Sequence, residues 1–347
     1  MLLACGCNNR PGPAQPIIAF DRRLPSSSYA VYAQAEYQAT DRLSASFGVR
    51  LSRERKRITG VALLFDRNLE FTDEIAGEGS NRGAWTPLTY RAGVEYQLAP
   101  DVMAYGSVAR GYKSGGFNIR GNVDLPNLGF AAFRPEEALT YEAGLRTEWL
   151  DRRLRFNATL FHSSYTNIQL RRQTLGPTGT VTFIENAAKA RIRGAELELV
   201  AKPAAGLRLG GAYGFLDARY RDVGNAEGLT LDSRFQRTPR HSLTASIDYE
   251  QAIGSGSLAL HADYSYRSRE QFQTVAAIND QRGYGLLDAR LTYRPRGGNW
   301  TLALFGTNLT DVHYRSAGRG TLLNEAGIAY SSVGLPRHFG VQIGRRF

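Results

Sequence analysis

The chain has 347 residues, 42% of them hydrophobic, with 37 Gly, 18 Tyr and 16 Phe but only 2 Cys and 2 Met. No stretch reaches the ~20 consecutive apolar residues of a membrane-spanning helix, which excludes a helical membrane protein but not a β-barrel, whose lipid-facing residues alternate with polar ones. The formal charge is +11, yet Arg is scattered over alternating segments and turns alike. Nucleic acid is therefore not an expected partner, whereas anionic lipopolysaccharide suits such a charge.

Residues 1–28 are predicted to be an irregular N-terminal segment. Cys5 and Cys7 lie too close together for an unstrained bridge, and no other Cys or His cluster accompanies them, so no zinc site is expected. From Tyr29 onward, alternation dominates. Leu43, Ala45, Phe47, Val49 and Leu51 alternate with Ser44, Ser46, Gly48, Arg50 and Ser52. The same pattern follows over Leu154–Leu160, Leu243–Tyr249, Leu258–Tyr266 and Phe339–Ile343. A soluble β-sandwich also alternates, but its strands usually run about five or six residues. Runs such as 42–53, 153–165, 207–219 and 256–267 reach the roughly nine to eleven that cross a membrane. Many of the apolar positions are aromatic, among them Tyr96, Trp149, Tyr213, Tyr264 and Trp300, as expected of the girdles at the two interfaces.

The connections alternate in length along the chain. Short ones carry turn formers: Ala39-Thr40-Asp41, Ala99-Pro100-Asp101, Leu150-Asp151-Arg152, Pro203-Ala204-Ala205-Gly206 and Pro295-Arg296-Gly297-Gly298. Between them lie long polar stretches at about 58–83, 113–138, 173–188, 221–237, 268–283 and 310–334. Outer-membrane barrels combine short periplasmic turns with longer extracellular loops. The reading is an all-β, antiparallel transmembrane barrel occupying 29–347, of about 13 strands. Because barrels have an even strand number, an odd count that begins on the outer side predicts further strands upstream.

Several phrases are specific. They are YAVYAQAEYQATDRLSASFGVR at 29–50, YGSVARGYKSGGFN at 105–118, FRPEEALTYEAGLRTEW at 133–149, NAAKARIRGAE at 186–196, and Asn308-Leu309-Thr310-Asp311 followed by Tyr314. In this order they resemble the C-terminal barrel of TonB-dependent outer-membrane receptors, the group that imports ferric siderophores, cobalamin and some carbohydrates. The resemblance implies a barrel of about 22 strands around an N-terminal plug, of which this chain would supply about 13, with the plug and the coupling segment absent. It implies a ferric siderophore or similar chelate as ligand and a TonB-type energy-coupling protein as partner of the full-length receptor. A passive porin-like channel is the alternative.

Candidate ligand contacts fall in the 113–138 stretch and at the residue before it, where Tyr112, Lys113, Phe117, Arg120 and Arg134 combine cations with aromatics suited to an anionic chelate. The bland reading is that they are solvated loop residues. Glu142, Arg146 and Glu148, with Glu196 and Glu198, oppose apolar neighbours and should face the lumen as cross-strand charge pairs. The five histidines occur singly, so no protein-held metal and no cofactor is expected. His241-Ser242 lacks a nucleophile elbow, so the chain is not expected to be an enzyme. Phe339, Val341 and Ile343 with the terminal Phe347 resemble an outer-membrane assembly signal; Arg345 departs from its alternation.

Overall fold

The computed structural model describes residues 17–65, 70–119, 129–176, 179–224, 229–273, 278–295, 297, 299–322 and 328–346. These form nineteen strands. The first nine are β1 (Ile17–Arg23), β2 (Ser26–Thr40), β3 (Leu43–Phe65), β4 (Phe71–Trp85), β5 (Leu88–Ala99), β6 (Val102–Lys113), β7 (Gly116–Phe117), β8 (Ala132–Phe133) and β9 (Glu136–Trp149). There follow β10 (Leu154–Gly176), β11 (Gly179–Ala204), β12 (Leu207–Asp222), β13 (His241–Ile253), β14 (Gly256–Arg267) and β15 (Tyr284–Arg294). The last are β16 (Trp300–Thr307), β17 (Arg315–Leu322), β18 (Ile328–Val333) and β19 (His338–Arg345).

Fifteen strands build one antiparallel sheet, while β7–β8 and β17–β18 pair separately. Within it β3 is a spine. Its first half pairs with β2 and β5, and its second half with β1 and β4. The flanking ribbons are interrupted at Pro25 and Pro87, which have no N–H to donate to a ladder. Both prolines still accept through their carbonyls, from Arg57 N and Ser52 N at 3.1 Å each. With β1–β2 and β4–β5 counted as single ribbons, the fifteen strands make thirteen, the number expected. Among the described residues β2 and β19 do not pair with each other, so the sheet is open.

Two expectations need correction. The segment taken as irregular up to residue 28 contains β1 and the start of β2, because the overhang of β3 offers Ile17–Arg23 a ladder from Phe65 to Thr59. The stretches 58–83 and 173–188 are largely strand, not loop. There β3–β4 and β10–β11 continue as hairpins past the apolar band. Much of their composition is polar where a face meets water, and polarity alone does not distinguish such a strand from a loop.

Register fixes the faces. Leu160 lies opposite Ala143 and Ala195, and Thr159 opposite Gly144 and Glu196. The first row points outward, where Leu160 is 64% exposed, as are Phe47, Leu145, Leu199, Tyr264 and Leu304 to a similar or lesser extent. A continuous exposed apolar band on one face of a sheet is a lipid-facing surface. The opposite face carries Ser44, Ser46, Glu142, Thr159, Glu198, Asp248 and Arg290. The buried apolar clusters lie beyond the band, at the long-loop end. One contains Ile58, Ala62, Phe117 and Phe130, the other Ile168, Ala188, Ala190 and Tyr220. At the short-turn end, Leu150, Asp151 and Arg152 all take left-handed φ (57°, 54° and 64°), which closes β9 onto β10 within a few residues.

Candidate functional site

The long-loop end is organised by the phrase at 111–118. Past Arg110, β6 no longer pairs with β5, and its continuation packs on the inward face of the β3–β4 hairpin. Tyr112 donates to Glu54 Oε1 at 2.5 Å, and Ser114 Oγ donates to the other Glu54 oxygen. Lys56 Nζ donates to Ser114 Oγ at 2.6 Å and to the Gly115 carbonyl at 2.7 Å, and lies 5.7 Å from the Trp85 ring centroid. Trp85 in turn meets Phe117 at 6.0 Å. A carboxylate, an ammonium, two hydroxyls and an aromatic ring are thus mutually satisfied in a half-buried network.

Two asparagines tie this network to the neighbouring strands. Asn118 donates to the Ile184 carbonyl at 3.1 Å and accepts from the Ile184 N–H at 2.5 Å, copying a strand ladder with its amide. Asn186 accepts from Arg134 N at 2.6 Å and donates to the Arg134 and Asn167 carbonyls at 2.9 and 2.8 Å. Gln169 adds bonds to the carbonyls of Ser114 and Arg134 at 2.9 and 3.1 Å. A third asparagine, Asn308, works the same way near the end of the chain. It is 4% exposed at φ 49°, and bonds Val312 N, the Val312 and Leu335 carbonyls and, through its own N–H, Asp288.

The candidate ligand contacts therefore separate. Lys113 and Arg134 have exposed side chains at this mouth. Tyr112 is committed to Glu54. Phe117 is 3% exposed within the Ile58–Phe130 cluster and is corrected from a loop contact to a packing residue. Arg120 lies outside the described residues. Phe339, Val341 and Ile343 form one outward row on β19, each more than 60% exposed; Phe347 lies outside the described residues.

The inward face below carries charge ladders. Tyr105 OH contacts Glu142 at 2.8 Å and Thr159 at 2.9 Å, with Arg146 5.4 Å from its ring centroid. Asn157 donates to Glu198 at 3.2 Å. Further round, Arg208 reaches Asp248 at 3.4 Å, and Arg290 donates to Gln342 at 2.6 Å. His261 stands between Asp248 and Asp263 at 2.6 and 2.5 Å. Histidine spacing in the sequence does not announce that arrangement, because Asp248 comes from the adjacent strand; the cross-strand register Asp248↔His261 does. Among the described residues no group of three or more His, Cys, Asp or Glu is arranged to hold a metal ion.

Comparison with known proteins fits this geometry. The family model for the TonB-dependent receptor-like β-barrel matches residues 6–309. The metal-pseudopaline receptor CntO of Pseudomonas aeruginosa is 27% identical over 312 residues, covering 88% of this chain and 40% of that protein. The crystal structure of the ferric yersiniabactin uptake receptor FyuA from Yersinia pestis superposes with a TM-score of 0.79 at 21% identity, covering 96% of this chain and 48% of FyuA. The ferric-catecholate import receptor Fiu of Escherichia coli K12, in its closed form, gives 0.68 at 21% identity, over 94% of this chain and 45% of Fiu. The chain thus spans less than half the length of these relatives. It belongs to the TonB-dependent receptor β-barrel family of the bacterial outer membrane.

Proposed function

We propose that the chain forms part of a receptor that takes up a ferric siderophore or a similar metal chelate, and not part of an enzyme. The observation that carries this is the match of the barrel family over residues 6–309, joined to relatives named for metal–pseudopaline, ferric pyoverdine and catecholate siderophores. A TonB-type energy-coupling protein is then the partner of the whole receptor. Lys113 and Arg134, exposed at the mouth, supply cationic contacts for an anionic chelate, with Arg120 beside them in sequence. The metal arrives already held by its chelator, so the protein needs charge and shape and no ligand set of its own. The outward row Phe339-Val341-Ile343, followed by Phe347, serves as the assembly signal. A passive channel is not favoured, since the family match is to receptors.

The test is uptake of radiolabelled ferric siderophores by a Gram-negative host stripped of its own siderophore receptors. That host would carry the gene as encoded, with any upstream sequence. Uptake should exceed background for at least one siderophore class, stop when the energy-coupling protein is deleted, and fall about tenfold with K113E/R134E, which reverses two charge contacts. Uptake of none of the classes, or uptake that persists without the coupling protein, overturns the reading.

A further inference from the structure

On β11 and β12 the outward apolar rows stop abruptly and basic rows begin. Along β12 the outward positions run Leu207, Leu209, Gly211, Tyr213 and Phe215, and then Asp217, Arg219 and Arg221. Along β11 they run from Leu199 through Leu197 and Ala195 to Arg193 and Arg191. The apolar part of β12 is about nine residues long, the length that crosses the hydrocarbon layer. The charged part therefore begins where the lipid headgroups lie, at the end that carries the long connections.

The arginines converge. Arg193 Nε and Arg219 Nε reach opposite oxygens of Asp217 at 3.1 Å, and Arg191 Nη2 reaches it at 3.4 Å. Asp217 is 6% exposed beneath them, whereas the Arg193 and Arg219 side chains are more than half exposed. One carboxylate cannot neutralise three guanidinium groups, and Arg221 brings a fourth. Arg240, just before β13, adds a cation 5.3 Å from the Phe215 ring centroid. The nearby Asp222 is paired with Lys189 at 3.3 Å and takes nothing from this surplus. Arg191 Nε is buried and has no hydrogen-bond partner among the described residues. The Arg193 and Arg219 side chains, more than half exposed within this surplus of positive charge, are the donors open to an external anion.

We propose that this cluster binds a phosphate group of lipopolysaccharide in the outer leaflet. Arg191, Arg193 and Arg219 hold the phosphate oxygens. Asp217 keeps the three guanidinium groups in place from below. The acyl chains lie along the Tyr213, Phe215 and Leu197 surface, which faces lipid directly beneath. The site is outside the barrel and independent of whichever chelate the receptor carries, so either proposal can fail without the other.

The test begins with the full protein extracted from outer membranes in mild detergent and stripped of lipid. Binding of host lipopolysaccharide is compared with binding of the same lipopolysaccharide treated with phosphatase and with inorganic phosphate alone. Wild-type protein should bind the phosphorylated lipid about tenfold more tightly than the dephosphorylated one. R191Q/R193Q should lose that preference and R193K/R219K should keep most of it. R290Q, which changes an inward-facing arginine, should leave it unchanged. Competition by millimolar inorganic phosphate alone would mean a free-anion site and would overturn the lipid assignment. So would equal binding of dephosphorylated lipid, or equal retention by R191Q/R193Q with R193K/R219K and R290Q folded normally.

Discussion

A methyl group added at Gly115 would sit 2.5 Å from Trp85 Cε2 and 2.7 Å from the Phe133 carbonyl oxygen, whereas at Gly111 it would meet nothing within 4 Å. Both glycines belong to one short phrase, and only the first is required by close approach of the chain to a ring and a backbone. G115A should therefore cost about 1–3 kcal/mol by overpacking and G111A close to nothing. Hydrogen exchange across 114–118 would show the difference as faster opening in the first variant alone. Equal protection in the two would remove close approach as the reason for the glycine. Legibility in sequence ends at this scale. The combination of Tyr112, Lys113, Phe117 and Arg134 announces cations beside aromatics, but Tyr112 is claimed by Glu54, 58 residues away. Phe117 is claimed by Ile58 and Phe130. Which aromatics are spent on packing depends on a contact between two hairpins, and no local pattern encodes it. Asn118 and Asn186 were visible only as letters in motifs; their work is to complete backbone ladders across the mouth.

At the scale of the strand the sequence was far more informative, because a period of two assigns each residue to a face before any partner is known. Leu160, set outward between Ala143 and Ala195, and Thr159, set inward between Gly144 and Glu196, are neighbours in sequence with opposite solvents. L160R should cost about 2–4 kcal/mol near mid-membrane. T159R gives up the 2.9 Å contact with Tyr105, and its charge meets Glu196 and water, so the loss should stay near 1 kcal/mol. Urea unfolding in lipid vesicles measures both, and comparable losses would contradict the assignment of faces. Alternation ceased to be useful where lipid ceased to be the solvent. Beyond Leu51 the odd positions of β3 turn to Arg53, Arg55 and Arg57, while its far end (VALLF at 61–65) is apolar at every position, so neither part shows the alternation of a lipid-facing strand. That extension is held by its ladders with β1 and β4, which is why 58–83 reads as loop and folds as hairpin. The β11–β12 arginine cluster was hidden for the same reason: its members come from two strands and gather only in register.

At the scale of the whole molecule, both proposals depend on one choice of direction. The exposed Lys113 and Arg134, the Asn118 and Asn186 clamps and the outward arginine cluster all lie at the end carrying the long connections. The tight turns at Asp41, Asp101 and 150–152 lie at the other. The rhythm of short and long connections, legible in sequence, assigns the first end to the cell exterior. Single cysteines in a background with Cys5 and Cys7 replaced by serine test this directly. L231C, at a residue 55% exposed in the long connection after β12, should react with a membrane-impermeant maleimide on intact cells. D101C, in the exposed turn between β5 and β6, should react only after the outer membrane is opened. The reverse pattern would turn the mouth toward the periplasm, where no external chelate arrives, and would place the arginines against a leaflet that lacks lipopolysaccharide. Ligand capture and lipid binding would then fall together, whereas the lipid and uptake experiments taken singly can sink only one of them.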